Sequence, residues 1–143
     1  MRYWDASAIV PLIVSEDRSA IAREWLSQDP GIVTWAWTRV ELVSAVERRA
    51  RRGELTRTER RACLDAFAGV AELWDEVVDL AAVRGRAIAL LSRHSLRAAD
   101  AAQLGAALVV AEGDPSALTF VCLDETLALA AEREGFPLLT RSA

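Results

Sequence analysis

Apolar positions along the chain switch repeatedly between a strand-like and a helix-like period. Residues 1–5, MRYWD, read as a short strand ending in an aspartate, and SAIVPLIVSE opens a helix with Pro11 near its boundary. DRSAIAREWLSQ, 17–28, is amphipathic, with Ile21, Trp25 and Leu26 on one side, and Asp29-Pro30-Gly31 is a turn. The β-branched and aromatic run IVTWAW, 32–37, predicts a strand. A helix over 38–53 ends at Gly53, and Thr56 with Glu59 forms a capping-box pattern that opens the next helix, through about Leu73. EVVDL, 76–80, is a strand candidate, followed by the helix AVRGRAIALLSRH. A second helix starts near Ser95 and contains LRAADAAQLGAAL. Glu112-Gly113-Asp114-Pro115 is a turn, LTFVCLD, 118–124, a buried strand ending in aspartate, ETLALAAEREG a helix stopped by Gly135, and FPLLT a short last strand.

Strands alternating with helices argue for an α/β fold, a mostly parallel sheet flanked by helices on both faces. No repeat, linker or low-complexity segment interrupts the pattern, so one domain over 1–143 is expected. No apolar run approaches the roughly 18 residues that span a membrane. The N-terminus has no basic leader or clean cleavage site, which points to a cytoplasmic protein.

One aspartate breaks the pattern. In the helix around LRAADAAQLGAAL, Leu96, Asp100, Leu104 and Leu108 fall on one stripe, the stripe that should face the core. A buried carboxylate is paired, protonated or bound to a metal. Arg97 is a local candidate to pair with it. Three further acids share its surroundings. Asp5 and Asp124 close two strands and run into helices, and Glu41 lies in the first turn of the helix after IVTWAW. In open parallel sheets, functional groups gather beyond the carboxyl ends of the strands. Each acid also has a local explanation: Asp5 and Asp124 as helix caps, Glu41 as the capping-box partner of Thr38. Their convergence has a joint one. Carboxylates at one rim repel each other unless a cation is present, and hard ions such as Mg²⁺ prefer carboxylate oxygens. Such a centre suits phosphodiester hydrolysis by a metal-activated water.

Composition narrows the chemistry. The chain has 17 basic residues and no lysine, and a single histidine, His94. Phosphate-loop NTPases and Schiff-base enzymes need a lysine, and a multi-histidine zinc site is excluded. No G-x-S-x-G elbow appears. Cys63 and Cys122 lie in apolar patterns outside any C-x-x-C motif and read as buried reduced thiols. The net charge is −4, yet seven arginines crowd between Arg48 and Arg61. They form either a solvated surface paired with Glu47, Glu54 and Glu59, or a local surface for phosphates or an acidic partner.

The segments D-A-S-A at 5–8, T-x-x-E-L at 38–42, H-S-L-R-A-A-D-A at 94–101 and L-D-E-T-L at 123–127 resemble PIN domains, above all the VapC-like toxins of prokaryotic type II toxin–antitoxin systems. The resemblance covers essentially the whole chain. It implies a PIN-like domain with a five-stranded parallel sheet and a Mg²⁺-dependent endoribonuclease, with Mn²⁺ as the other candidate metal. By residue match, Asp5, Glu41 and Asp100 would be the core metal-binding and catalytic acids, with Asp124 completing the quartet. Ser7 would hydrogen-bond within the acid cluster, or cap the first helix. Ala6 stands where many relatives carry Thr or Ser, which removes one auxiliary hydrogen bond. The family also implies an RNA substrate, a cognate VapB-like antitoxin and a homodimer. Trp25, Trp37 and Trp74 are either contact residues for such partners or core aromatics. A catalytically silent PIN-fold module that binds RNA or protein is the alternative. A DNA-directed nuclease of similar chemistry is a third reading, but the short chain lacks the insertions and basic arches of flap-cutting relatives.

Overall fold

A computed structural model describes residues 1–141; residues 142–143 of the expected domain lie outside the described residues. The chain runs β1 (Arg2–Trp4), α1 (Ala6–Ile13), α2 (Ser19–Gln28), β2 (Ile32–Trp35), α3 (Thr38–Arg51), α4 (Arg57–Ala71) and β3 (Asp75–Val77). It continues through α5 (Leu80–Arg93), α6 (Ala98–Ala111), a 3₁₀ turn at Pro115–Ala117, β4 (Phe120–Val121), α7 (Glu125–Arg133) and β5 (Leu138–Leu139). The five strands form one sheet in the order β3-β2-β1-β4-β5, and all four pairings are parallel. The expected α/β architecture is therefore present.

Both faces of the sheet are covered, and neighbouring strand residues divide between them. Tyr3, Val33, Val77 and Phe120 join a core with α5, α6 and α7. Trp4, Ile32 and Val121 join a second core with α1 to α4. Buried on both sides, the central strands β1, β2 and β4 need little polar alternation, which is why they read as largely apolar runs. Trp25 and Trp74 are core aromatics, whereas Trp37 is 59% exposed. Cys63 and Cys122 are buried and unbridged.

Several boundaries differ from the sequence expectation. Pro11 lies inside α1 rather than at its edge, and the helix ends two residues later, so little of the ladder is lost. The strand expected at 76–80 is Asp75–Val77, because Asp79 caps α5 by accepting from the Ala82 amide and Leu80 is already helical. The strand expected at 118–124 is regular only over Phe120–Val121, although the Thr119 carbonyl still accepts from Tyr3 and the Cys122 amide still donates to Leu139. Helix α6 begins at Ala98, not near Ser95. The capping box of Thr56 and Glu59 is present as expected, and α4 ends at Ala71 rather than Leu73.

Helices α5 and α6 pack closely at Gly105. A Cβ there would stand 3.0 Å from the Val83 carbonyl oxygen and 3.1 Å from the Ala87 nitrogen. Both are backbone atoms, so relief requires the helices to separate. Gly105→Ala is expected to destabilise by about 1–3 kcal/mol. Gly69, exposed in α4, has nothing within 4 Å of its would-be Cβ. Gly69→Ala should therefore stabilise by roughly 0.5–1 kcal/mol through helix propensity. Thermal melts of the two variants test the pair of opposite signs.

Candidate metal centre

From β1 the chain steps to β2 and β3 on one side, then returns to β4 and β5 on the other. The topology switches between β1 and β4, where a crevice opens at the carboxyl ends of the strands. Asp5 follows β1 and Asp124 lies beyond β4, so the two flank this switch. Glu41 enters from the first turn of α3, and Asp100 from the first turn of α6.

Asp5 is the most enclosed of the four, at 3% exposure. It caps α1: its Oδ2 accepts from the Ser7 amide at 3.1 Å and from the Ser7 hydroxyl at 2.5 Å. The Ser7 hydroxyl in turn accepts from the Leu123 amide at 2.9 Å. Ser7 thus ties Asp5 to the segment that carries Asp124, and the cap is Asp5 itself. The Cys122 thiol lies 3.6 Å from the same Oδ2. Burial pushes that thiol's pKa up, so it stays protonated and offers no thiolate ligand. Asp124 caps α7 by accepting from the Leu127 amide through Oδ1 at 2.9 Å.

Glu41 does not form the capping box expected with Thr38. Thr38 is already helical and buried, its hydroxyl 2.7 Å from that of Thr34. Glu41 is held instead by Gln103 of α6, whose Nε2 donates to Glu41 Oε1 and to Thr38 Oγ1, both at 3.0 Å. The Gln103 Oε1 accepts from the Tyr3 hydroxyl at 2.7 Å. Burial, with the charges of Asp5 and Glu41, raises the Tyr3 pKa, so the phenol keeps the proton it donates. The amide orientation follows: oxygen toward Tyr3, nitrogen toward Glu41. Gln103 is fully buried and belongs to the site, although its sequence neighbours are small and apolar.

The electrostatics link the four acids. Burial raises the Asp5 pKa to about 6, Ser7's hydrogen bonds oppose this, and the charge of Asp100 adds to it. Burial raises Glu41 to about 7, with Asp5 and Asp100 contributing after the opposing Gln103 bond. Asp100 is raised by burial and then by Asp124, and Arg97 pulls it back only in part. The local pairing of Arg97 with Asp100 does not form: no ion pair joins them among the described residues. Because α6 starts at Ala98, Asp100 lies at its mouth rather than in the core, half-buried and lining a cavity of about 640 Å³ with Asp124.

The donor set suits a hard cation. Among the described residues, the second oxygens of Asp5, Glu41 and Asp124 and both oxygens of Asp100 carry no hydrogen bond. These are unspent carboxylate lone pairs, the ligands that Mg²⁺ and Mn²⁺ take. Among the described residues no three His, Cys, Asp or Glu side chains close on one point. The acids are neighbours linked through their fields rather than a preformed cluster.

Comparison with known proteins agrees with this architecture. The PIN domain family profile matches residues 2–120. Ribonuclease VapC47 of Mycobacterium tuberculosis is 31% identical over 140 residues, covering 95% of this chain and 93% of the relative. Two solved structures share the fold: PAE2754 from Pyrobaculum aerophilum and FitAcB from Neisseria gonorrhoeae, each with a TM-score of 0.63. Their identities are 23% and 17%; the matches cover 96% and 97% of this chain, and 89% and 96% of theirs. With acids at the switch point of a five-stranded parallel sheet and a profile match over most of its length, this chain belongs to the PIN domain family.

Proposed function

We propose that this protein is a Mg²⁺-dependent endoribonuclease, with Mn²⁺ as an alternative metal, and the toxin of a VapBC-type toxin–antitoxin pair. One observation carries the reading: four carboxylates, each from a separate element, are linked through their fields at the β1–β4 switch, with lone pairs unspent. The name of the relative, a ribonuclease, supports RNA as the substrate. Asp5, Glu41, Asp100 and Asp124 would hold the ion. When bound, such an ion supplies a water of lowered pKa and neutralises charge on the phosphate oxygens.

The chain's own residues prepare that chemistry. Ser7 holds Asp5 by one oxygen and leaves the other without a hydrogen bond among the described residues. Gln103 does the same for Glu41. The N-termini of α1, α6 and α7 converge on the rim, where their dipoles favour carboxylates and a phosphate. For partners, we infer a homodimer and an antitoxin. Leu80, Ile88 and Leu91 on α5, with Trp37 and Val40 at the head of α3, are exposed apolar residues that suit such contacts. No helix is long and apolar enough to cross a membrane among the described residues, which is compatible with a cytoplasmic site of action.

The separation of the acids favours one competing reading, a catalytically silent PIN-fold module that binds RNA or protein. Incubating total RNA with the purified chain in Mg²⁺, in Mn²⁺ and in EDTA distinguishes them. Cleavage with metal and none with EDTA is expected. Intact RNA throughout, together with no rise in melting temperature in millimolar metal, would establish the silent module.

A further inference from the structure

Three arginines of the arginine-rich stretch are paired in the structure. Arg49 pairs with Glu16 at 2.7 Å, Arg60 with Glu47 at 2.7 Å, and Arg61 with Asp65 at 3.6 Å. These charges are committed to the surface of α3, α4 and the α1–α2 connection. Arg48 is exposed and its side chain has no ion pair or hydrogen bond among the described residues. Yet it lines a cavity of about 280 Å³ together with Ser7 and Glu41. Seven residues after Glu41 puts Arg48 on the same face of α3, about 10 Å along its axis. Helical side chains lean toward the N-terminus, so the guanidinium is directed back along α3 toward the acids.

Arg97 occupies the opposite flank. It precedes α6, is exposed, forms no ion pair among the described residues, and lines the larger cavity with Asp100 and Asp124. Ser7, which lines the smaller cavity, hydrogen-bonds both Asp5 and the Leu123 amide, and so joins that cavity to the segment that carries Asp124. One uncommitted guanidinium thus shares a cavity with Glu41, and another shares a cavity with Asp100 and Asp124.

We infer that Arg48 and Arg97 are phosphate subsites that grip single-stranded RNA on either side of the bond to be cut. The inference rests on the ribonuclease reading above. The guanidinium fork matches phosphate oxygens in a bidentate fashion. A polymer with a repeating anionic backbone satisfies both arginines at once while one phosphodiester lies over the acids between them. The strand must be single because Asp5 is recessed to 3% exposure between helices. A flexible strand can dip to it, whereas an A-form duplex presents a stiff surface. The net charge of −4 gives little general attraction, so these two contacts carry a large share of the grip.

The test measures binding of a fluorescent, random-sequence single-stranded RNA pool to the full chain at several salt concentrations. Phosphate contacts are sequence-independent, so a random pool is the right probe. Ca²⁺ serves as the hard cation, and gels confirm that the RNA stays uncut. The affinity falls with salt by about 0.7 log units per log unit for each phosphate contact on a single strand. Arg48→Ala and Arg97→Ala should each reduce that slope by about 0.7, and the double variant by about 1.4. Arg48→Lys should keep it, and Arg57→Ala, an equal loss of charge, should leave it unchanged. Wild-type slopes in both alanine variants, or an equal fall in Arg57→Ala, would overturn the inference and leave the ribonuclease reading standing. Loss of poly-glutamate binding with RNA binding intact would also overturn it, assigning the arginines to an acidic protein segment. Failure of the wild type to bind RNA at any salt would overturn both.

Discussion

Asp5→Asn is expected to raise the stability of the metal-free protein at pH 7.5 while lowering RNA cleavage at least 10²–10³-fold, the rough cost of removing one key charge-stabilising group. The two effects share a cause. In the fold, Asp5 has its pKa raised from 3.8 to about 6, chiefly by burial. Glu41 is raised from 4.5 to about 7 for the same leading reason. An acid with a raised folded pKa binds its proton more tightly in the folded state, so protonation favours folding. That contribution is complete below the unfolded pKa and disappears as pH rises through the folded pKa. For this pair the loss runs from about pH 4 to about pH 7. At pH 7.5 the Asp5 penalty is on the order of 3 kcal/mol, at about 1.4 kcal/mol per unit.

Asparagine is nearly isosteric and caps helices as well as aspartate, and its carbonyl accepts the same two bonds from Ser7. It carries no charge to bury. The variant should melt roughly 10 °C above wild type at pH 7.5 without metal, and the gap should close below about pH 4. Millimolar Mg²⁺ should reverse the order, because only the wild type retains the full ligand set. A destabilisation of equal size at every pH, unaffected by Mg²⁺, would make Asp5 a structural cap and nothing more.

The parts of the site that were legible in the sequence are those that local physics writes locally. Asp5 and Asp124 stand where a strand ends and a helix begins, and each caps its helix as short-range rules require. The Thr56–Glu59 box is complete within four residues and formed as read. Glu41 had an equally good local partner in Thr38, but the fold overrode it. Thr34 engages the Thr38 hydroxyl from β2, and Gln103 reaches Glu41 across 62 positions. Strand lengths were overestimated for a related reason. An apolar run such as LTFVCLD records burial, and burial continues past the point where a neighbour is available to pair. Asp100 appeared too deep in its helix because Ser95 to Arg97 look helical in isolation. They form instead the entry loop to α6, which opens the cavity beside Asp100.

Gln103 left no signal in the sequence, and it carries the second large effect. Its three partners belong to β1 and α3, and it is fully buried. Gln103→Leu keeps the volume and removes every bond. The Tyr3 hydroxyl then has no acceptor and Thr38 loses its donor, both in the core, at a cost of roughly 2–4 kcal/mol. Adding Tyr3→Phe removes one of the stranded groups, so the double variant should recover about 1 kcal/mol relative to the sum of the single changes. Stability alone does not separate a core amide from a residue that positions Glu41. Metal affinity does. Partners that orient a ligand typically contribute 10–100-fold in metal affinity or activity. Well below its melting temperature, Gln103→Leu should bind Mn²⁺ about tenfold more weakly by calorimetry. Tyr3→Phe, which leaves the Gln103–Glu41 bond in place, should bind it nearly as wild type does. Equal Mn²⁺ affinity in Gln103→Leu and wild type would confine Gln103 to the core. A selective loss would mean that the carboxylate on α3 is aimed by an amide on α6, so that the packing of the two helices sets the geometry of the metal centre.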